Sequence, residues 1–323
     1  MDLGVHLPLL SFRGEPLSLR RLAEAVDAAR DCGFAAVSAN DHFVFSAPWL
    51  DGPTALAAVV ERSGELELAT TLALVVLRGP VPLAKALVAI DLLSEGRLIA
   101  AVGPGSSARD YDAVGLAFDE RWSRLDEAIA VLRAVLGDAP LPSEPRHYAL
   151  PAGFELAPRP HRPGGVPLWV ASWGSPAGLA RVARLGDGWL ASAYNTTPER
   201  FGAARVDLAR RLREEGREAE GFPTALSTTW TWVAADRAEG ERVLAEVLAP
   251  LLGRDPSELR EQVCVGTAEH CAQLLARYAR AGCDRVYVWP MGEERRQLEL
   301  VAAEVAPLVR AEASDPLRRI PPQ

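Results

Sequence analysis

From residue 3 to residue 310 the chain alternates short apolar runs with longer amphipathic ones, and no other feature restricts its fold so tightly. Strand-like runs lie at 3–7, 35–39, 66–74, 97–102, 168–172, 189–192, 226–234 and 285–289. Helix-like runs fall between and after them, at 19–31, 53–63, 82–93, 120–136, 176–185, 198–215, 239–252, 268–281 and 295–310. Strands that are apolar on both faces need both faces covered, and parallel neighbours need a helical crossover between them. Proline in several first turns, and glycine after several helices (Gly33, Gly96, Gly216, Gly282), punctuate the units as helix capping requires. Eight such units in 323 residues predict a (β/α)8 TIM barrel in preference to an open sheet.

Two connections are long: 43–52 after the second strand, and 137–166, rich in proline, glycine and arginine, before the fifth. The barrel pattern resumes directly after the second, so it is an insertion within one domain spanning 1–312, with 313–323 a frayed tail. Cys264-Val265-Gly266 is a candidate for a small extra strand.

Composition removes several classes of function. A net charge of −8 argues against a nucleic-acid surface. No apolar run approaches the roughly 18 residues of a membrane span, and the start has neither a basic n-region nor a cleavage site, so a cytoplasmic protein is expected. Lys85 is the single lysine and sits inside an amphipathic run, which argues against Schiff-base chemistry. The four cysteines (Cys32, Cys264, Cys271, Cys283) form no C-x-x-C pair and no metal-type spacing with histidine, so reduced core thiols and no metal site are expected. Triad, zinc-protease and nucleotide phosphate-loop motifs are absent.

In a barrel, function gathers where strands run into the following loops. Those ends carry His6-Leu7-Pro8, Asn40-Asp41-His42-Phe43, Thr70-Thr71, Gly103-Pro104-Gly105-Ser106-Ser107, Ser172-Trp173-Gly174-Ser175-Pro176-Ala177, Ser192-Ala193-Tyr194-Asn195 and Trp289-Pro290. Asp41-His42 is the one acid–imidazole neighbour pair among them; histidine titrates near neutrality and a carboxylate can fix its tautomer. His6 is read as packing in the barrel interior. Gly103-x-Gly105 lacks the third glycine of a dinucleotide fingerprint and reads as a close-approach turn. The turn at 172–177 offers free N–H groups and a helix amino end, which suit a phosphate. Trp173, Trp230, Trp232 and Trp289 divide between core filling and an aromatic pocket.

Taken in order, these pieces resemble the luciferase-like flavin and deazaflavin oxidoreductases over nearly the whole chain. The resemblance runs through Gly4-Val5-His6-Leu7-Pro8, Asp41-His42-Phe43, Ala69-Thr70-Thr71, Pro82-Leu83-Ala84-Lys85, Leu92-Leu93-Ser94-Glu95-Gly96-Arg97-Leu98 and Val102-Gly103-x-Gly105. It continues through Asp110-Tyr111-x-x-x-Gly115, Phe118-x-x-Arg121, Arg124-Leu125-x-Glu127-Ala128, Pro158-Arg159-Pro160, Pro167-Leu168-Trp169-Val170, Gly186-Asp187-Gly188-Trp189 and Gly266-Thr267. It implies a barrel that binds coenzyme F-420 (an 8-hydroxy-5-deazaflavin) or FMN, with a small-molecule substrate and a homodimeric state. Asp41-His42 favours the deazaflavin branch, with His42 handling the proton that accompanies hydride transfer. Asp41, Thr71, Leu72, Gly103 and Gly105 are then expected around the cofactor ring, with a non-prolyl cis peptide at Thr71–Leu72. Ser172, Trp173, Gly174, Ser175 and Ala177 are expected at its phosphate. Ser106 and Ser107 stand where relatives carry an acid, which removes the expectation of a second catalytic acid in that loop. The alternatives are an FMN-dependent monooxygenase using O2, and a cofactor-binding barrel without turnover.

Overall fold

The computed structural model describes residues 1–313; the expected tail at 313–323 lies outside them except for Ala313. The strands are β1 (Asp2–His6), β2 (Ala36–Ala39), β3 (Glu67–Leu74), β4 (Leu98–Gly103), β5 (Leu168–Ala171), β6 (Gly188–Ser192), β7 (Thr224–Val233), β8 (Cys264–Gly266) and β9 (Arg285–Pro290). They pair in the order β6-β5-β4-β3-β2-β1-β9-β7, and β6 pairs back onto β7, closing an eight-stranded parallel barrel. The small extra strand is β8, which pairs with residues 231–233 at the far end of β7 and stays outside the closed ring.

Helices cover the outside: α1 (Leu19–Asp31), α2 (Gly52–Val59), α3 (Val75–Arg78), α4 (Pro80–Leu93), α5 (Ala108–Ala113), α6 (Arg121–Leu136), α7 (Pro176–Leu185) and α8 (Pro198–Glu214). In α1, Ser18 caps the Arg21 N–H, and Leu22, Ala25, Val26 and Ala29 recur at helical spacing on the buried face. Further along, the run expected at 239–252 is interrupted by a π-helical turn at Leu244–Leu248, and the last helix by another at Val301–Val305. The 137–166 insertion is tied down by its neighbours. The Glu127 carboxylate on α6 accepts the N–H groups of Arg146, His147 and Tyr148. Buried Asp91 on α4 accepts the His161 N–H at 2.8 Å, and Lys85 donates to the Ala157 carbonyl.

Side chains alternate between barrel interior and helix layer with period two. The interior floor is a separate apolar cluster of Ala36, Ala69, Ile99, Ala101, Trp169, Leu190, Ala225 and Tyr287. Gly4 belongs to this layer: a Cβ there would stand 2.6 Å from the Tyr287 ring. Two residues further along, the same inner faces become His6 on β1, Ser38 on β2, Thr71 on β3, Gly103 on β4, Ser192 on β6, Ser227 on β7 and Trp289 on β9. The barrel is thus apolar at its floor and polar toward the carboxyl ends of its strands. Among the described residues no helix is long and apolar enough to cross a membrane, and no cluster of potential metal ligands occurs.

Candidate active site

Successive residues of an extended chain point to opposite sides, and the end of β2 separates Asp41 from His42. The Asp41 carboxylate takes Arg78 Nε at 2.5 Å and Nη2 at 2.7 Å, and accepts the Leu74 N–H at 3.2 Å. Arg78 also reaches Asp51, the N-cap of α2. Asp41 therefore locks α3 against the end of β2. The reading in which Asp41 fixes the His42 tautomer is corrected, because both of its oxygens are turned to the arginine.

The partner of His42 is Asp110 on α5, with Nδ1 2.9 Å from Oδ2. The other Asp110 oxygen accepts the N–H groups of Phe43 at 3.1 Å and Val44 at 2.5 Å. Burial pushes the Asp110 carboxyl up, but these hydrogen bonds and the neighbouring imidazole outweigh it and hold the group below its ordinary range. An ionised carboxylate only accepts, so this network assigns a proton to Nδ1, and in the neutral ring the lone pair lies on Nε2. The Asp110 side chain is 1% exposed and that of His42 20%. The rigid half of the pair is buried, and the imidazole reaches the surface of the mouth.

Beside this pair the Thr71–Leu72 peptide is cis, and the β3–β4 register shifts between Thr71 and Ala73. Ala39 is paired with Thr70, so Asn40 and Thr71 are the next neighbours across the two strands. Asn40 Oδ1 and Thr71 Oγ1 are buried with no hydrogen-bond partner. Such orphans cost about 1–3 kcal/mol each. Two of them side by side at a barrel mouth fit a planar ring with polar edges, as flavins and deazaflavins have. Gly103 and Gly105 act through leucines: a Cβ would come to 3.0 Å from Leu72 Cδ2 at the first and 2.9 Å from Leu74 Cδ2 at the second. Gly105 also has φ +81°. The two glycines make the space in which the residues after Thr71 pack.

His6 is packing, as expected. Its Nε2 accepts the Asn40 N–H at 3.0 Å, Nδ1 donates to the Leu7 carbonyl at 2.7 Å, and its ring stacks on Trp289. Burial lowers its pKa from 6.5 to about 3, so the ring is neutral.

On the β5 side, Ser172 Oγ accepts the Gly174 N–H at 3.1 Å, and Ser175 caps α7 through the Gly178 N–H at 3.2 Å. Pro176 offers no N–H, so Ala177 provides the free first-turn donor. Gly178 carries no Cβ because one would stand 2.2 Å from Ser172 Oγ. Trp173 is 57% exposed. This turn has the free donor and dipole that an anion needs.

A family model described as luciferase-like monooxygenase matches residues 2–252. The chain belongs to the luciferase-like monooxygenase family. This family member is 30% identical over 190 residues to an F-420-dependent glucose-6-phosphate dehydrogenase of Amycolatopsis mediterranei (strain U-32), covering 55% of each chain. It is 29% identical over 215 residues to a 4-hydroxyprotoasukamycin monooxygenase of Streptomyces nodosus subsp. asukaensis, covering 65% of this chain and 56% of the other. It spans about half the length of these curated relatives. Among solved structures, an F-420-dependent secondary alcohol dehydrogenase in complex with an F-420–acetone adduct has the same fold. The TM-score is 0.81 at 19% identity, over 96% of this chain and 99% of that one.

Four residues of this site are not among those expected above: Asn40, Asp110, Arg78 and Trp49, whose ring stands edge-on to His42 at 4.9 Å. Asp110 does lie in the Asp110-Tyr111-x-x-x-Gly115 stretch that carries the resemblance, and the structure explains the motif. Tyr111 is fully buried and donates from its hydroxyl to the Pro104 carbonyl at 2.6 Å, fixing α5 to the β4 turn so that Asp110 meets His42. An acid does stand in this segment, three residues beyond Ser107, and its side chain meets the imidazole.

Proposed function

We propose that the chain is an oxidoreductase that uses coenzyme F-420 to oxidise or reduce a small organic substrate. The observation that carries this reading is the His42–Asp110 pair at the end of β2, 2.9 Å apart, beside the unpartnered Asn40 Oδ1 and Thr71 Oγ1. When bound, a deazaflavin supplies a ring carbon that exchanges a hydride, two electrons at once. Asn40, Thr71 and Leu72 would hold its ring, with Gly103 and Gly105 shaping the wall behind and Asp41 fixing that wall through Arg78. Ser172, Gly174, Ser175 and Ala177 would hold its phosphate, with Trp173 beside them. His42 Nε2 takes the proton that a substrate hydroxyl releases, or returns it to a carbonyl oxygen. Asp110 stabilises the imidazolium formed, and such proton handling is typically worth about 10²–10⁴ in rate.

A second reading, an FMN-dependent monooxygenase, draws on the same phosphate turn and on the likeness in sequence to a monooxygenase. Turnover with each cofactor, with oxygen uptake recorded, separates the two. The F-420 reading expects cofactor conversion at equal rates with and without air. Oxygen consumption coupled to reduced FMN, with no F-420 conversion, overturns it. Binding of either cofactor with no turnover of any substrate would make the barrel a binding protein.

A further inference from the structure

The mouth of the barrel divides into two chemically different halves. The polar half, from β3 round to α7, is the one assigned above to the cofactor. The other half is aromatic and is built on four adjacent strands of the ring, β2, β1, β9 and β7. Trp289 at the end of β9 stacks on His6 at 3.5 Å on one side and on Trp230 of β7 at 3.9 Å on the other, each with an interplanar angle of 18°. Trp49, in the loop after β2, stands edge-on to Trp289 at 5.5 Å and to His42 at 4.9 Å. Phe45 meets Trp49 at 4.7 Å, and Phe12 meets Trp230 edge-on at 5.6 Å. Aromatic contact thus runs unbroken from the proton-handling imidazole to a buried triple stack. Trp230 and Trp289 are buried, while Phe12, Phe45 and Trp49 are only partly covered.

Three of the unpartnered polar atoms of this half are indole donors. The Nε1 groups of Trp49, Trp230 and Trp289, and Thr229 Oγ1, are buried with no hydrogen-bond partner. An indole N–H can only donate, so the wall calls for an acceptor and offers none of its own at these three rings. Three nearby arginines are already engaged. Arg78 is held by Asp41 and Asp51, Arg21 by Glu294 and the Leu10 carbonyl, and Arg254 by Asn195 and the Tyr194 carbonyl. Arg13 lies over Trp232, whose own Nε1 is bonded to Glu239. A phosphate entering beside His42 would leave water for a surface of indoles, and burying an unpaired charge is costly.

We propose that this half of the mouth is the substrate subsite, and that it takes an uncharged aromatic ketone or the corresponding secondary alcohol rather than a phosphorylated sugar. The rings lie against the Phe12, Phe45 and Trp49 face, and the oxygen is the acceptor that the indole donors lack. This substrate class rests on the oxidoreductase reading above, but the binding it requires is measured independently of turnover.

Isothermal titration calorimetry of the full chain, with and without saturating F-420, tests it with acetophenone and with glucose 6-phosphate. Acetophenone binds saturably in one of the two conditions and glucose 6-phosphate in neither. Trp49→Ala weakens acetophenone at least about tenfold while Trp49→Phe retains most of the affinity, since the ring is what the ligand packs on. Circular dichroism of both variants confirms the fold. Binding of glucose 6-phosphate in preference to acetophenone, binding of neither, or an unchanged affinity in Trp49→Ala overturns the proposal. The cofactor reading is followed separately by the absorbance of F-420 and FMN. If acetophenone binds as stated and neither cofactor does, the subsite stands and the oxidoreductase reading falls.

Discussion

Replacing Asp110 by asparagine should disable His42 without emptying the site. The carboxylate takes three donors: His42 Nδ1 at 2.9 Å, Phe43 N–H at 3.1 Å and Val44 N–H at 2.5 Å. In Asp110→Asn the amide oxygen keeps the two backbone N–H groups, which turns the NH2 toward His42 Nδ1. Two donors cannot bond, so the imidazole proton moves to Nε2 and the lone pair leaves the cleft. The lost charge-assisted hydrogen bond is worth about 1.5–3 kcal/mol. With the tautomer reversed as well, kcat should fall by about 10²–10⁴, while the Kd of the cofactor and KM move by less than about threefold. Steady-state kinetics from pH 5 to 9, with cofactor titrations on the same samples, measure all of this. A variant with unchanged kcat, or one whose loss lies wholly in KM, refutes the reasoning.

The same carboxyl is held below its ordinary range in the folded chain, so its contribution to stability is full above about pH 4 and fades as pH falls further; the urea midpoint gap between Asp110→Asn and the native chain should close on acidification. His6 works in the same sense, over a higher pH range. Its pKa falls from 6.5 unfolded to about 3 folded, so between those values the unfolded chain binds the extra proton and the fold loses stability on the order of a few kcal/mol as pH drops. His6→Gln should flatten that slope, and an identical slope in the variant would exclude His6 as its source. Arg78→Leu strands Asp41, whose side chain is 1% exposed, and should cost about 3–5 kcal/mol in urea unfolding; a loss below about 1 kcal/mol would show that the pair does not hold α3. Gly4→Ala drives a Cβ to 2.6 Å from the Tyr287 ring and should cost about 1–3 kcal/mol, largely recovered by adding Tyr287→Leu; no recovery in the double variant would place the strain elsewhere.

The barrel was legible because its strands are buried on both faces and its helices carry one apolar stripe, patterns that local sequence displays directly. His42 was legible from its place at a strand end, and the Thr71–Leu72 peptide from the family resemblance. Its orienting carboxylate was not, since Asp110 lies 68 residues away and is brought in by the Tyr111–Pro104 bond, while adjacent Asp41 is turned from it by the alternation of extended chain. Residues 75–78 illustrate the same limit. Val75-Val76-Leu77 follows the third strand-like run with no period of its own, and is helical where Arg78 is pulled onto Asp41, 37 positions away. Trp49 sits in a loop without periodicity, placed by the Leu10–Trp49 bridge and by the Leu50 N–H on the Leu9 carbonyl at 2.8 Å. Pairings of that range depend on the closed barrel and leave no mark on neighbouring residues.

The central claim is that the orphaned groups of β2 and β3, the His42–Asp110 pair and the α7 turn together form a deazaflavin site. Equilibrium titration of the purified chain with F-420 and with FMN, each followed by its own absorbance and repeated on Thr71→Val and Ser175→Ala, tests it most directly. Saturable binding of F-420 in preference to FMN, weakened in both variants, is the predicted result. Preferential binding of FMN, or F-420 binding that neither substitution alters, would contradict it.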